Sequence, residues 1–161
     1  MTTPAATASP DEVKERLNIE VKLVMASVKV NKYVEVCVEW ARNSKKVRTK
    51  SVFLDQNISK GRFSKGANLK MPNTSFFKRS DGTWRPDYST LTLMTNDNEE
   101  IGVCKFNNSD YCLKPRTSFK AVISNQEDPT GKPVLIGDTA KYPGAYIEFK
   151  LSVLSKAQAA E

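Results

Sequence analysis

Lys46, Arg48 and Lys50 stand at alternate positions near the start of the most basic stretch of the chain. From Arg42 to Arg85 the sequence holds twelve Lys or Arg residues against two acids, Asp55 and Asp81. The whole chain of 161 residues has 25 basic and 18 acidic residues, so the rest is slightly acidic and the net +7 is concentrated here. Such a concentration attracts polyanions: an anionic membrane leaflet, a nucleic acid or an acidic protein. The alternative is a solvated face kept basic for solubility. Side chains spaced i, i+2, i+4 on a strand leave the same face, roughly 7 Å apart, and three charges cannot line a core. Lys46, Arg48 and Lys50 are therefore expected to form an exposed row, with Val47, Thr49, Ser51 and Phe53 turned inward. Lys45, Lys60, Arg62 and Lys65 extend the row. Aromatic residues interleave with it: Trp40, Phe53, Phe63, Phe76, Phe77 and Trp84. By alternation Trp40 and Phe53 belong to the core. Phe63, in a Gly-flanked loop beside Arg62, is either core or an exposed aromatic that enters a lipid interface or stacks on bases.

Little else in the chain points to chemistry. The sequence has no histidine, which removes His-based triads, His general bases and the common zinc ligand sets. No Gly-x-Ser-x-Gly elbow accompanies any serine. The Gly61–Gly66 segment has glycines and a lysine but lacks the Gly-Lys-Ser/Thr ending of a phosphate loop. No enzyme, cofactor or metal is expected. Cys37, Cys104 and Cys112 are an odd number without a secretory leader in the sequence, which suits a reducing setting. Cys104 and Cys112 are either a pair or buried free thiols. No run of 18 apolar residues is present, so membrane contact is expected to be peripheral.

The elements that would carry the basic row follow from hydropathy alternation. Residues 1–14 read as a disordered tail, with a helical turn allowed at Asp11–Arg16. Leu17, Ile19, Val21, Leu23 and Met25 alternate with polar residues, which is the period of a half-buried strand. Lys32–Arg42 repeats the pattern, with Val34, Val36, Val38 and Trp40 on one face. Lys46–Leu54 is the third strand. Asp55–Asn68 is a loop or weak edge element. Leu69–Lys78 is a fourth strand that Pro72 confines to an edge or a bulge. Tyr88–Thr95, Glu100–Phe106, Thr117–Ser124 and Ala145–Leu154 follow, with a long loop at Asn125–Pro143. Eight short strands without a long helical period predict an all-β, eight-stranded antiparallel sandwich over residues 15–155, with a short tail at 156–161.

The order of these features resembles a C2 domain. It is most similar to the amino-terminal type found in EH-domain-binding proteins and plant plastid-movement proteins. The resemblance rests on the opening pair Leu17–Met25 and Lys32–Trp40 and on the lysine-rich third strand. It rests further on Leu91–Met94 followed by Glu100-Ile101-Gly102-Val103, on Phe106–Tyr111 and on the closing strand Ala145–Val153. Calcium-binding members gather several Asp carboxylates on two apical loops, because the ion needs six to eight oxygens. Here Ser27–Asn31 has no acid and carries Lys29. Asp97 and Glu99 lack the Asp-x-Asp spacing and read as turn residues. The resemblance therefore implies a calcium-independent module. It would dock on anionic phospholipid, phosphoinositide or phosphatidylserine, through Lys45, Lys46, Arg48, Lys50, Lys60, Arg62, Phe63 and Lys65. The alternative is a scaffold module gripping an acidic protein surface, such as a cytoskeletal partner. Both imply a cytoplasmic protein, peripheral at membrane or cytoskeleton. A nucleic-acid partner ranks last, since no reader motif accompanies the charge.

Overall fold

The computed structural model describes residues 8–64 and 67–159. Within them eleven strands form: β1 Glu12–Ser27, β2 Val34–Arg42, β3 Lys45–Arg48, β4 Val52–Leu54, β5 Lys60–Arg62, β6 Asn68–Arg79, β7 Tyr88–Thr95, β8 Glu100–Asn107, β9 Thr117–Ser124, β10 Leu135–Gly137 and β11 Tyr146–Leu154. A 3-10 turn spans Asn108–Tyr111, and a single helical turn, α1, spans Lys156–Ala159. The fold is all-β, as the alternation predicted, but it is one open mixed sheet of eleven strands. The segment expected as a helical turn at Asp11–Arg16 is instead the start of β1, which runs 16 residues. The expectations for residues 1–7 lie outside the described residues.

The sheet path is β3-β2-β7-β8-β10-β9-β11-β1-β5, with β4 also on β2 and β6 also on β1. Its two halves are antiparallel internally and meet where β10 runs parallel to β9 for two residue pairs. They share one core. Trp40, Val36 and Val38 from one half and Ile19, Val21, Leu23, Phe149 and Leu151 from the other are all buried in it. A row of aromatic contacts spans the halves: Phe106 against Phe149 at 5.7 Å, Phe149 against Phe119 at 5.2 Å, and Phe119 edge-on to Tyr111 at 5.2 Å.

Bulges decide which side chains face out. Between Leu23 and Met25 an extra residue, Val24, has no partner on β11, so Ala26 and not Met25 continues the buried row. Pro72 and Asn73 make a bulge opposite Asn18 on β1, as the proline predicted, and Asn73 N donates to Asn18 Oδ1 at 2.9 Å. Ile101 is the extra residue between β8 and β7. The expected third strand is broken in the same way. Glu39 pairs with Arg48 and Val36 pairs with Val52, so three residues on one side face two on the other. The Thr49 hydroxyl accepts from Val38 N at 3.0 Å and bridges the gap. After this bulge the alternation is reversed. Val52 packs on the core, Leu54 is fully buried, Ser51 is exposed and Phe53 faces solvent.

β10 hides in the long loop because it is short and its register needs glycines. Gly102 of β8 pairs with Gly137 of β10. A Cβ on Gly137 would lie 2.3 Å from the Ile101 carbonyl oxygen, and one on Gly102 would lie 2.6 Å from Leu135 Cγ. We expect Gly137→Ala to destabilise the fold by about 1–3 kcal/mol, as overpacking does, measured as a lower urea midpoint with unchanged slope. A variant as stable as the wild type would show that β10 does not cross this closely.

The start of β1 is clamped by charge. Glu12, whose side chain is 4% exposed, accepts from Arg85 and lies 4.0 Å from Arg79. The Arg85 hydrogen bond, with help from Ser9 N, holds the Glu12 carboxyl down from its ordinary value near 4.5 to about 2. A lowered folded-state value contributes stability above the unfolded value, and that contribution is lost as pH falls toward the folded one. Glu12→Gln should therefore lose less stability than the wild type between pH 4.5 and 2, followed by circular dichroism. Identical acid profiles would show that the clamp is absent.

Candidate functional site

The basic stretch separates by residue type once folded. Its arginines are largely engaged. Arg42 makes two hydrogen bonds to Asp87, Arg85 grips Glu12, Arg79 lies beside Glu12, and Arg48 reaches Glu39 at 2.8 Å. The planar guanidinium suits such paired geometry, and the more strongly hydrated ammonium does not. Arg48 is thus neutralised from the neighbouring strand β2, and the row of three free charges expected at Lys46, Arg48 and Lys50 does not form. Lys50 lies within the bulge and not at the next alternate position.

What remains free is an edge. Lys45 and Lys46 on β3, Lys50 in the bulge, and Lys60 and Arg62 on β5 are exposed and have no ion pair among the described residues. The edge is continuous because β4 packs on β5. A Cβ on Gly61 would meet Val52 Cγ2 at 2.7 Å and Leu54 Cδ2 at 3.4 Å, so only glycine lets the two strands approach. Lys45 pairs with Arg42 at one end of β2. Leu54 pairs with Val34 at the other end, about 25 Å away at the usual strand rise. There Lys60 pairs with Ser27, the last residue of β1. Lys65 lies outside the described residues.

The aromatic expectations are partly reversed. Phe63 is half-buried and packs on the core, since its backbone N–H donates to Val24 O at 2.9 Å and holds it against β1. Phe53, expected in the core, is 55% exposed because of the bulge. It stacks on Tyr33, itself exposed, with ring centres 5.9 Å apart. Trp40, Phe76 and Phe77 are buried, and Trp84 packs partly on the core. The exposed aromatic pair therefore sits beside the basic edge.

A second cationic group lies at the end of the sheet reached by Lys60. The loop from Val28 to Tyr33, the β7–β8 turn and the segment before β11 enclose a cavity of about 590 Å³. Lys29, Lys32 and Lys141 line it with one acid, Glu99. Lys141 Nζ lies 2.5 Å from Glu99 Oε1, and the Tyr142 hydroxyl donates to the same oxygen at 3.1 Å. Lys141 and then Tyr142 hold the Glu99 carboxyl below the usual range. Burial, then the Glu99 carboxylate, pushes the Tyr142 phenol up. Glu99 is thus more than a turn residue: it ties the β7–β8 turn to Lys141 and Tyr142. Lys141 and Tyr142 gave no local signal, since they lie some 40 positions from Glu99 inside an irregular segment.

The three cysteines are free and buried. Burial pushes the Cys104 and Cys112 thiols up to about 12, so neither is a ready nucleophile. Compared with models of known families and with curated proteins, the chain matches none of them. Among the described residues, no group of three or more Cys, Asp and Glu side chains is gathered closely enough to hold a metal ion. The cavity at the loop end has three ammonium groups where a cation would need several carboxylates. Millimolar calcium should therefore leave the thermal midpoint unchanged, because only a ligand that binds the native state raises it. A calcium-dependent rise of several degrees in a melting experiment would show a site that these residues do not suggest.

Proposed function

We propose that this chain is a calcium-independent C2-type module that docks on anionic phospholipid through its basic edge. In this reading the fold is an elaborated eight-stranded antiparallel C2-like sandwich. β3 and β4 count as one bulged strand, and β5 and β10 are short additions. The observation that carries the function is the free edge: Lys45, Lys46, Lys50, Lys60 and Arg62 without acidic partners among the described residues, flanked by the exposed Tyr33–Phe53 pair. Each basic side chain near an anionic leaflet contributes on the order of 1 kcal/mol. Five together give about 5 kcal/mol before ordering costs, or roughly between three and four decades in partition. That magnitude supports reversible, salt-sensitive binding. Exposed aromatic rings add contact at the headgroup level. The protein would then be cytoplasmic and peripheral to a membrane.

The test is sedimentation with vesicles of phosphatidylcholine alone and with phosphatidylserine added. Lys45→Glu/Lys46→Glu/Lys50→Glu should lose the binding that phosphatidylserine confers and should keep the wild-type melting curve, since none of the three is paired or buried. Arg48 is left in place because a glutamate there would repel Glu39. Binding by the wild type should fade at 1 M salt, where the Debye length is about 3 Å. Equal binding by variant and wild type would remove the membrane reading. If both proteins ignore the vesicles, the module grips an acidic protein surface instead, and the same edge is the place to look for it.

A further inference from the structure

We infer that the loop-end cavity is a site for a phosphate monoester on a small polar body, separate from the basic edge. Two ammonium groups there, Lys29 and Lys32, are exposed and have no hydrogen bond or ion pair within 4.0 Å among the described residues, although Lys32 acts on Glu99 at longer range, behind Lys141 and Tyr142. The third, Lys141, is held by Glu99. That contact neutralises the one acid lining the cavity and leaves a net charge of two to be matched. A phosphate monoester carries close to two negative charges at neutral pH and offers three strong acceptor oxygens. A diester carries one charge and fits this balance less well.

The geometry is prepared for such a ligand. Lys29 and Lys32 leave one short loop held in place at its start, where Val28 N donates to Ser59 O at 2.9 Å. Thr95 is buried at the cavity, and its hydroxyl accepts from Glu99 N at 3.1 Å, which leaves its own proton to donate. Lys141 is fixed by its segment: Asp138 Oδ1 accepts from Ala140 N and Lys141 N, and Tyr142 N donates to Asp138 O. Ile101, Val34 and the Tyr142 ring add apolar wall on which a carbon skeleton can rest. The volume of about 590 Å³ is within the ordinary range for a small-molecule site. The monoester can come from a soluble metabolite or from a lipid headgroup, and the chemistry at Lys29 and Lys32 is the same.

Two arms of one experiment distinguish the sources. In the first, glycerol 3-phosphate is titrated into the whole chain and followed by phosphorus NMR, with inorganic sulfate added as a competitor for control. In the second, vesicles of phosphatidic acid are compared with phosphatidylserine vesicles adjusted to equal surface charge. Lys29→Gln/Lys32→Gln should weaken glycerol 3-phosphate binding, or abolish the preference for phosphatidic acid, by about tenfold or more, since charge-assisted hydrogen bonds are lost. Neither lysine is paired, so the variant should melt like the wild type. Lys45→Glu/Lys46→Glu/Lys50→Glu should leave the soluble arm unchanged, which separates this site from the basic edge. The proposal is overturned if neither probe is bound in preference to its control. It is equally overturned if the Lys29/Lys32 variant binds as the wild type does.

Discussion

The contact between Gly102 and Gly137 sets how β8 and β10 meet at the loop end. β10 is three residues long and forms the bridge between the two halves of the sheet. At its last pair with β8, Gly137 with Gly102, a Cβ on either residue would clash. Glu99 stands three residues before Gly102, and Lys141 four residues after Gly137. The glycine contact thus fixes the register of two segments that are far apart in sequence and brings an acid and a base to 2.5 Å. The Ile101 bulge on β8 belongs to the same device, since it turns that side chain into the core and into the wall of the cavity.

The opposite end of the sheet is built from a buried polar network, and its charges are consumed by structure. Trp40 Nε1 donates to Ser89 Oγ at 2.9 Å, and Asn108 Nδ2 donates to both Ser89 Oγ and Asp87 Oδ1. Arg42 completes the set by gripping the Asp87 carboxylate, with the Phe76 ring 5.8 Å below its guanidinium. Asn108 Oδ1 is buried without a partner among the described residues. Such an atom costs about 1–3 kcal/mol. Turning the amide over would aim its oxygen at the Asp87 carboxylate, trading that hydrogen bond for a repulsion between two acceptors, which is worse. The network ties β2, β7 and the 3-10 turn together.

Strand positions were legible wherever alternation was long and one face was buried. Tyr88–Thr95 and Thr117–Ser124 have the bounds that the pattern predicts. β5 and β10 were not legible as strands, because three residues cannot display a period. The faces were the weaker inference. Period-two reading assumes that alternation never slips, and each bulge slips it by one residue. That single cause puts Phe53 outside, Ala26 inside and Lys50 off the row of Lys46 and Arg48. The charge of the basic stretch was legible, but its disposition was not. Asp87, Glu12 and Glu39, which engage its arginines, lie outside the stretch and come to it only through the fold.

The division between arginine and lysine explains how one chain can use positive charge in two ways. A guanidinium held by two hydrogen bonds to a carboxylate presents little free charge to solvent, so Arg42 and Arg85 strengthen the end farthest from the cavity without adding to the field at the edge. Lys45, Lys46, Lys50 and Lys60 differ in that none makes an ion pair among the described residues. Lys60 beside Ser27 and Lys29 two residues beyond that strand end make the edge run into the cavity. Attraction along the edge depends on the number of charges and weakens with salt. Retention of the proposed phosphate in the cavity would depend instead on which oxygens reach Lys29, Lys32 and the Thr95 hydroxyl. On the proposed reading, the same residue type would serve an unspecific interaction where the surface is open and a selective one where three segments meet.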